Sequence, residues 1–136
     1  MKKLWKRKQR RNIAVPDAEL SVLKALWQGG PATIRQITET LYPGGEVSHY
    51  ATVQKLLERL QGRDCVERRP QGRAHIYSAT IERDDLIRER LLDAADKLCE
   101  GSLSPLLTQL VDARNLSPQE IRTLRALVDS LDEKGG

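Results

Sequence analysis

The chain contains no phenylalanine, one methionine, two tryptophans and three tyrosines in 136 residues. Its core must therefore be built from Leu, Ile and Val. No stretch approaches the ~18 consecutive apolar residues of a membrane-spanning helix, which excludes such a span. The charged N-terminus lacks a following apolar stretch, so a secretory signal is not expected. Only two cysteines occur, Cys65 and Cys99, and their separation excludes a disulfide framework. They read as small buried hydrophobes, with redox sensing as a minor alternative. The two histidines, His49 and His75, have no Ser, Cys or carboxylate at the spacing of a catalytic triad, and zinc needs three or four converging ligands. There is no glycine-rich phosphate loop. Neither catalysis nor a bound metal or cofactor is expected, and the expected location is the cytoplasm.

Acid is also scarce where base is dense. Residues 1–14 carry Lys2, Lys3, Lys6, Arg7, Lys8, Arg10 and Arg11 and no Asp or Glu. Such a run repels itself and is expected to be a mobile arm. It can lie along phosphates and add salt-dependent affinity, or serve only as a solubilising tail; Leu4 and Trp5 give too little apolar surface to anchor it in a membrane. Residues 1–80 hold 15 Lys and Arg against 7 Asp and Glu, a charge of +8, while 81–136 hold 8 against 12, or −4, which together give the overall +4. The basic front half is suited to a polyanion, and the acidic back half to a different task.

At 39% hydrophobic and 31% charged, a chain of this length makes one domain, or a small domain with an appendage. Pro16 and Asp17 open a first helix that runs to about Gln28, with Leu20, Leu23, Leu26 and Trp27 on its buried face, and Gly29-Gly30-Pro31 stops it. Thr33 followed by Gln36 is a capping-box pattern for a short helix through Ile34, Ile37 and Leu41. After the Tyr42-Pro43-Gly44-Gly45 turn comes a longer helix, with Ser48 as its expected N-cap. Tyr50, Val53, Leu56, Leu57 and Leu60 form its apolar back. Its front carries Ser48, Ala51, Thr52, Lys55 and Arg59, flanked by Gln54 and Glu58. Short and basic groups of this kind suit a DNA major groove.

Cys65–Arg69 and Ala74–Ser78 read as two strands joined by a turn at Pro70–Arg73. Val66, Ile76 and Tyr77 are expected to pack back on the helices, and Arg68, Arg69 and Arg73 to gather toward the tip. A helix-turn-helix followed by a basic hairpin is a winged helix. Beyond it only helical patterns appear: Ile87, Leu91, Ala94, Ala95 and Leu98; then Leu103, Leu106, Leu107, Leu110 and Val111 after a break at Gly101. Last come Ile121, Leu124, Leu127, Val128 and Leu131, behind a capping box at Ser117–Glu120. Three amphipathic helices in about 50 residues are too few for a comfortable core of their own. An identical chain is the commonest partner for such faces. The expected fold is thus mainly α. A basic arm occupies 1–14 and a winged helix-turn-helix of three helices and a hairpin 15–80. A helical dimerisation region fills 81–136, with Ile87, Leu91, Leu98, Leu106, Leu107, Leu110, Ile121, Leu124 and Val128 at its interface.

In order and spacing, these motifs resemble the penicillinase-repressor family of bacterial regulators, the BlaI/MecI type, over roughly Val15 to Leu131. The matching residues are Glu19, Val22 and Leu26-Trp27 in the first helix. Tyr50-Ala51-Thr52-Val53 and Leu57-Glu58-Arg59-Leu60 match in the third, Gly72-Arg73 and Tyr77 in the wing, and Leu116–Ile121 near the end. The resemblance implies a homodimer that binds a palindromic double-stranded DNA operator and represses transcription. Neighbouring genes in the family often encode antibiotic-resistance functions and a membrane-bound sensor protease. The sign of regulation comes from the resemblance alone. By matched position Thr52, Gln54 and Lys55 face DNA, with Ser48 and Ala51 close to backbone or base edges. Arg59 serves either DNA or the fold, through a carboxylate, while Arg68, Arg69 and Arg73 attract phosphates without regard to sequence.

Three departures accompany the resemblance. The family's cleavage site, an Asn-Phe pair in the second C-terminal helix, corresponds to Gln109 and Leu110, which leaves cleavage, another signal or no signal as open readings. Arg63-Asp64 replaces the usual Lys-Gly, and Asp tolerates the left-handed conformation better than most residues. The paired-Cys motif of copper-sensing relatives is absent. The rival readings are a winged helix that binds proteins, since fold does not fix function, and a non-specific DNA-binding protein.

Overall fold

The computed structural model describes residues 15–113 and 115–135, the side chains of 132–135 excepted. The basic arm expected at 1–14 lies outside the described residues. The elements are α1 (Asp17–Gly29), α2 (Ile34–Leu41), α3 (Val47–Gly62), β1 (Val66–Gln71), β2 (Ala74–Ala79), α4 (Arg83–Cys99), α5 (Ser104–Ala113) and α6 (Pro118–Gly135). Together they make a mainly helical chain with one hairpin, the winged-helix order. Two compact units divide it, the first ending at Leu91 and the second starting at Leu92.

In the first unit Pro16 is the N-cap of α1, one position before the first helical turn in which the sequence placed it. Val22, Leu23 and Leu26 are buried, with Leu20 and Trp27 packed against them from the margin. The Trp27 indole N–H donates to the Ile81 carbonyl at 2.8 Å, so the polar edge of a large apolar ring is satisfied. The expected capping box opens α2: Gln36 N–H donates to Thr33 Oγ1 at 3.2 Å and Thr33 N–H to Gln36 Oε1 at 2.9 Å. Thr33→Ala should cost about 1 kcal/mol, read as a lower urea midpoint with an unchanged m-value.

Val53, Leu56, Leu57 and Leu60 form the buried back of α3. Tyr50, expected among them, is 43% exposed; it lies at the margin of the apolar arc, where a small rotation of the helix turns a side chain outward.

The hairpin pairs Val66 with Ala79 through to Gln71 with Ala74. The loop is only Gly72-Arg73, and Gly72 adopts φ +62°. Pro70, expected in the turn, remains in β1 opposite His75. This is possible because β1 is an edge strand, where a missing N–H is tolerated. β2 is central: Ala32 exchanges backbone hydrogen bonds with Tyr77 at 3.0 and 2.8 Å on its other side. The register also decides which residues pack inward. Val66, Ala79 and Tyr77 share one face and Ile76 lies on the other, so Tyr77 is buried and Ile76 only half-buried.

The core runs from Val15 through α1, Ile37 and α3 to Cys65, Val66, Tyr77, Ile81 and Leu86. Leu86 draws the first half of α4 into this unit, and Arg90 donates to the Val15 carbonyl at 2.8 Å.

The second unit holds the remainder of α4 and helices α5 and α6. Between α4 and α5, Glu100 and Gly101 both take positive φ, and Gly101 N–H donates back to the Ala95 carbonyl at 2.9 Å. Leu103 immediately precedes α5. The expected capping box opens α6: Ser117 and Glu120 each donate a backbone N–H to the other's side chain at 3.1 Å. Among the described residues no helix is long and apolar enough to cross a membrane.

Candidate nucleic-acid interface

Both ends of α3 are fixed from outside its exposed face. At its start Glu46, not Ser48, is the N-cap, and Val47 is the first helical residue. Glu46 N–H donates to His49 Nδ1 at 3.0 Å, so an imidazole does what a Glu or Gln does in the usual box. The His49 ring stacks on Tyr42, with centroids 4.3 Å apart and planes within 10°. Gly45 is required by closeness: a Cβ there would lie 2.7 Å from the Tyr42 carbonyl oxygen and 2.9 Å from His49 Nδ1. With the capping position already filled, Ser48 sits inside the first turn, and its carbonyl accepts from Thr52 Oγ1 at 3.0 Å.

At the other end Arg63 Nε donates to Glu19 Oε1 at 2.9 Å. The Glu19 residue is 2% exposed, and the bond ties the C-cap of α3 to α1. Bracing through a carboxylate, one of the two roles left open for Arg59, is seen at Arg63, while Arg59 is exposed. Asp64 follows at φ +61°, the left-handed turn expected of Asp in place of Gly.

Between these anchors Ser48, Ala51, Thr52, Gln54, Lys55, Glu58 and Arg59 are all exposed. Val47 joins them at 85% exposure and heads a row that Ala51, Gln54 and Lys55 continue at helical spacing. The face therefore offers an amide, an ammonium, a methyl and hydroxyls on a rigid rod backed by four buried aliphatic side chains. In the wing Arg68, Arg69 and Arg73 are exposed as well. The pleat turns Arg68 and Arg69 to opposite faces of the hairpin, and Arg69 holds Glu67 at 3.0 Å. Arg73 lies in the two-residue loop at the tip.

Of the residues assigned to dimerisation, Ile87 and Leu91 are exposed on α4 in the first unit. Leu98, Leu107, Leu110, Ile121, Leu124 and Val128 are exposed in the second, and Leu106 is half-buried. Gln109 and Leu110 lie within α5, both exposed. Among the described residues no group of three or more His, Cys, Asp or Glu side chains converges as a metal site would require.

Sequence reasoning missed the Glu19–Arg63 pair, the Gly45–His49–Tyr42 cluster and Val47. A Glu one turn into an apolar helix face was the available signal for the first. The cluster depends on distances between side chains, and Val47 on a helix that starts before Ser48, so neither left a pattern to read.

The family model described as penicillinase repressor matches residues 15–130. The chain is 30% identical to the transcriptional regulator BlaI of Mycobacterium tuberculosis over 122 residues, which cover 88% of this chain and 86% of that one. It is 24% identical to the penicillinase repressor of Bacillus licheniformis over 115 residues, 85% of this chain and 89% of that one. Among solved structures it is similar to the DNA-binding domain of the repressor BlaI, at 24% identity and a TM-score of 0.45, over 53% of this chain and 87% of that one. The match begins at Val15, runs through the winged helix and reaches into α6, well over half of the chain: the chain belongs to the penicillinase repressor family.

Proposed function

We propose that this protein is a sequence-specific DNA-binding transcriptional repressor, with α3 as its reading helix. The observation that carries the reading is the exposed face of α3, held at one end by Glu46 and His49 and at the other by Arg63 and Glu19. A helix fixed in this way can enter the major groove without further ordering. Gln54 and Lys55 can then reach base edges, and Ser48, Ala51 and Thr52 allow close approach. Arg59 and the wing arginines add attraction to phosphates. Family membership supports repression as the outcome of binding. The apolar rows of α4, α5 and α6 support a homodimer, which would place two α3 helices on a two-fold, palindromic operator. The protein acts by binding and not by catalysis, in the cytoplasm. Genes of the antibiotic-resistance or stress type are the targets that the family suggests, and cleavage by a sensor protease, another inducing signal and no signal are the three readings of their release. Gln109 and Leu110 are the positions at which a protease would cut.

The test is binding to duplex DNA from the region upstream of its own gene, with unrelated duplex as competitor, across a range of salt. Affinity should fall steeply with salt, by about 0.9 log unit per log unit of salt for each phosphate neutralised, and the upstream duplex should resist the competitor. Gln54→Ala combined with Lys55→Ala should remove the preference, with ~1–3 kcal/mol lost per base contact. Unchanged selectivity in the double variant would place the reading surface elsewhere. Weak and equal binding to both duplexes would favour a protein-interaction module.

A further inference from the structure

Among the described residues before Ile87, the large hydrophobic side chains that stand exposed are Val47 and Tyr50. Both are on α3, three residues apart and so on adjoining parts of one face. The first turn of a helix gives no reason for valine. Ser, Thr, Asp, Glu or Pro are favoured there, and a β-branched side chain loses rotamer freedom in a helix. Packing gives no reason either, since Val47 is 85% exposed. Its chemical surroundings are polar: Ala51, Gln54 and Lys55 continue its row, and Ser48 adjoins it. The Thr52 hydroxyl beside this row donates to the Ser48 carbonyl at 3.0 Å.

We propose that Val47, bordered by Tyr50 and Ala51, is a specificity residue that packs on the C5-methyl group of a thymine in each operator half-site. The inference rests on the DNA-binding reading above. In helix-turn-helix proteins the N-terminal residues of the reading helix reach the base edges. The thymine methyl is the apolar feature of the major groove, and small aliphatic groups recognise it. Two side chains make too small an apolar surface for a protein partner, whose interfaces recruit some 20–30 residues a side. A groove methyl matches them in size. The same chemistry is presented by 5-methylcytosine.

The experiment starts by selecting duplexes from an unmethylated random pool with the full-length protein. The preferred duplex is then remade with each thymine replaced singly by uracil, which removes the methyl and keeps the base pair. Wild-type protein should bind about fourfold more weakly at one position per half-site, the effect of one buried methyl. Val47→Ala should bind the thymine and uracil duplexes within twofold of each other, and Val47→Thr, which keeps one methyl, should fall between. At the sensitive position, 5-methylcytosine should bind more tightly than cytosine, because the C5-methyl is the one group that distinguishes them, and equal binding of the two overturns the proposal. Wild-type binding within twofold on every uracil duplex overturns it, as does the same uracil loss in Val47→Ala. A pool that converges on no sequence overturns the DNA-reading function itself, and the proposal with it.

Discussion

Replacing Arg63 by alanine is expected to destabilise the winged unit by about 3 kcal/mol, at the lower end of the range for removing one partner of a buried ion pair. The Arg63 side chain is 30% exposed and that of Glu19 only 3%, so the two partners are not equivalent. Without Arg63, a carboxylate buried on the same helix as Val22 and Leu23 loses the guanidinium that makes its burial tolerable. Without the charge on Glu19, Arg63 can turn its head to solvent. Glu19→Gln should therefore cost less, about 1–2 kcal/mol for a weakened hydrogen bond. Replacing both residues by apolar side chains of similar volume should recover most of the loss. Urea unfolding of the three variants measures the order, and an Arg63→Ala midpoint equal to that of the wild type would mean that the pair contributes nothing. A second readout accompanies stability. Because Arg63 caps α3, Arg63→Ala should also weaken DNA binding at temperatures where the protein remains folded.

Leu124→Asp should separate the proposed dimer. Ile121, Leu124 and Val128 form one exposed row along α6, and Leu124 is in the middle of it. In a two-fold interface each substitution counts twice. Loss of a buried leucine at about 1.5–3 kcal/mol becomes about 3–6 kcal/mol per dimer, before the cost of facing two carboxylates toward each other. The dimer constant should weaken by two orders of magnitude or more. Sedimentation velocity should show a monomer, and operator affinity should fall to that of a single half-site, while isolated half-site binding stays unchanged. A wild-type protein that sediments as a monomer at concentrations saturating the operator would refute this arrangement.

The features legible in the sequence were local. The Thr33–Gln36 and Ser117–Glu120 capping boxes and the four buried aliphatic positions of α3 each depend on spacing along one element, and each is where periodicity and capping rules place it, whereas the left-handed Asp64 was legible only through the family resemblance. The misreadings lie where the outcome depends on a neighbour. Ser48 has the chemistry of an N-cap, but Glu46 reaches that position first because His49 folds back on it. Ile76 and Tyr77 both carry large apolar surface, and the pairing of Val66 with Ala79 decides which of them turns inward. Arg59 and Arg63 are one turn apart and chemically identical. The position of Glu19 on another helix places the ion pair at Arg63. The exposed front of α3 was legible from the helical period, whereas its apolar member Val47 was not, because its exposure depends on the displaced start of the helix.

The anchors of α3 have a consequence for how such a protein diversifies. His49 and Gly45 at one end, Arg63 at the other and the aliphatic back face hold the helix without help from Gln54 or Lys55. Exchanging those front residues should alter what is recognised and leave the scaffold intact, since substitutions at exposed sites away from caps and buried pairs usually change stability by within about 0.5 kcal/mol. Duplicated copies of this gene could thus acquire separate targets by a few changes on one helix face, with no compensating change in the core. The same separation makes the helix a practical starting point for retargeting by design.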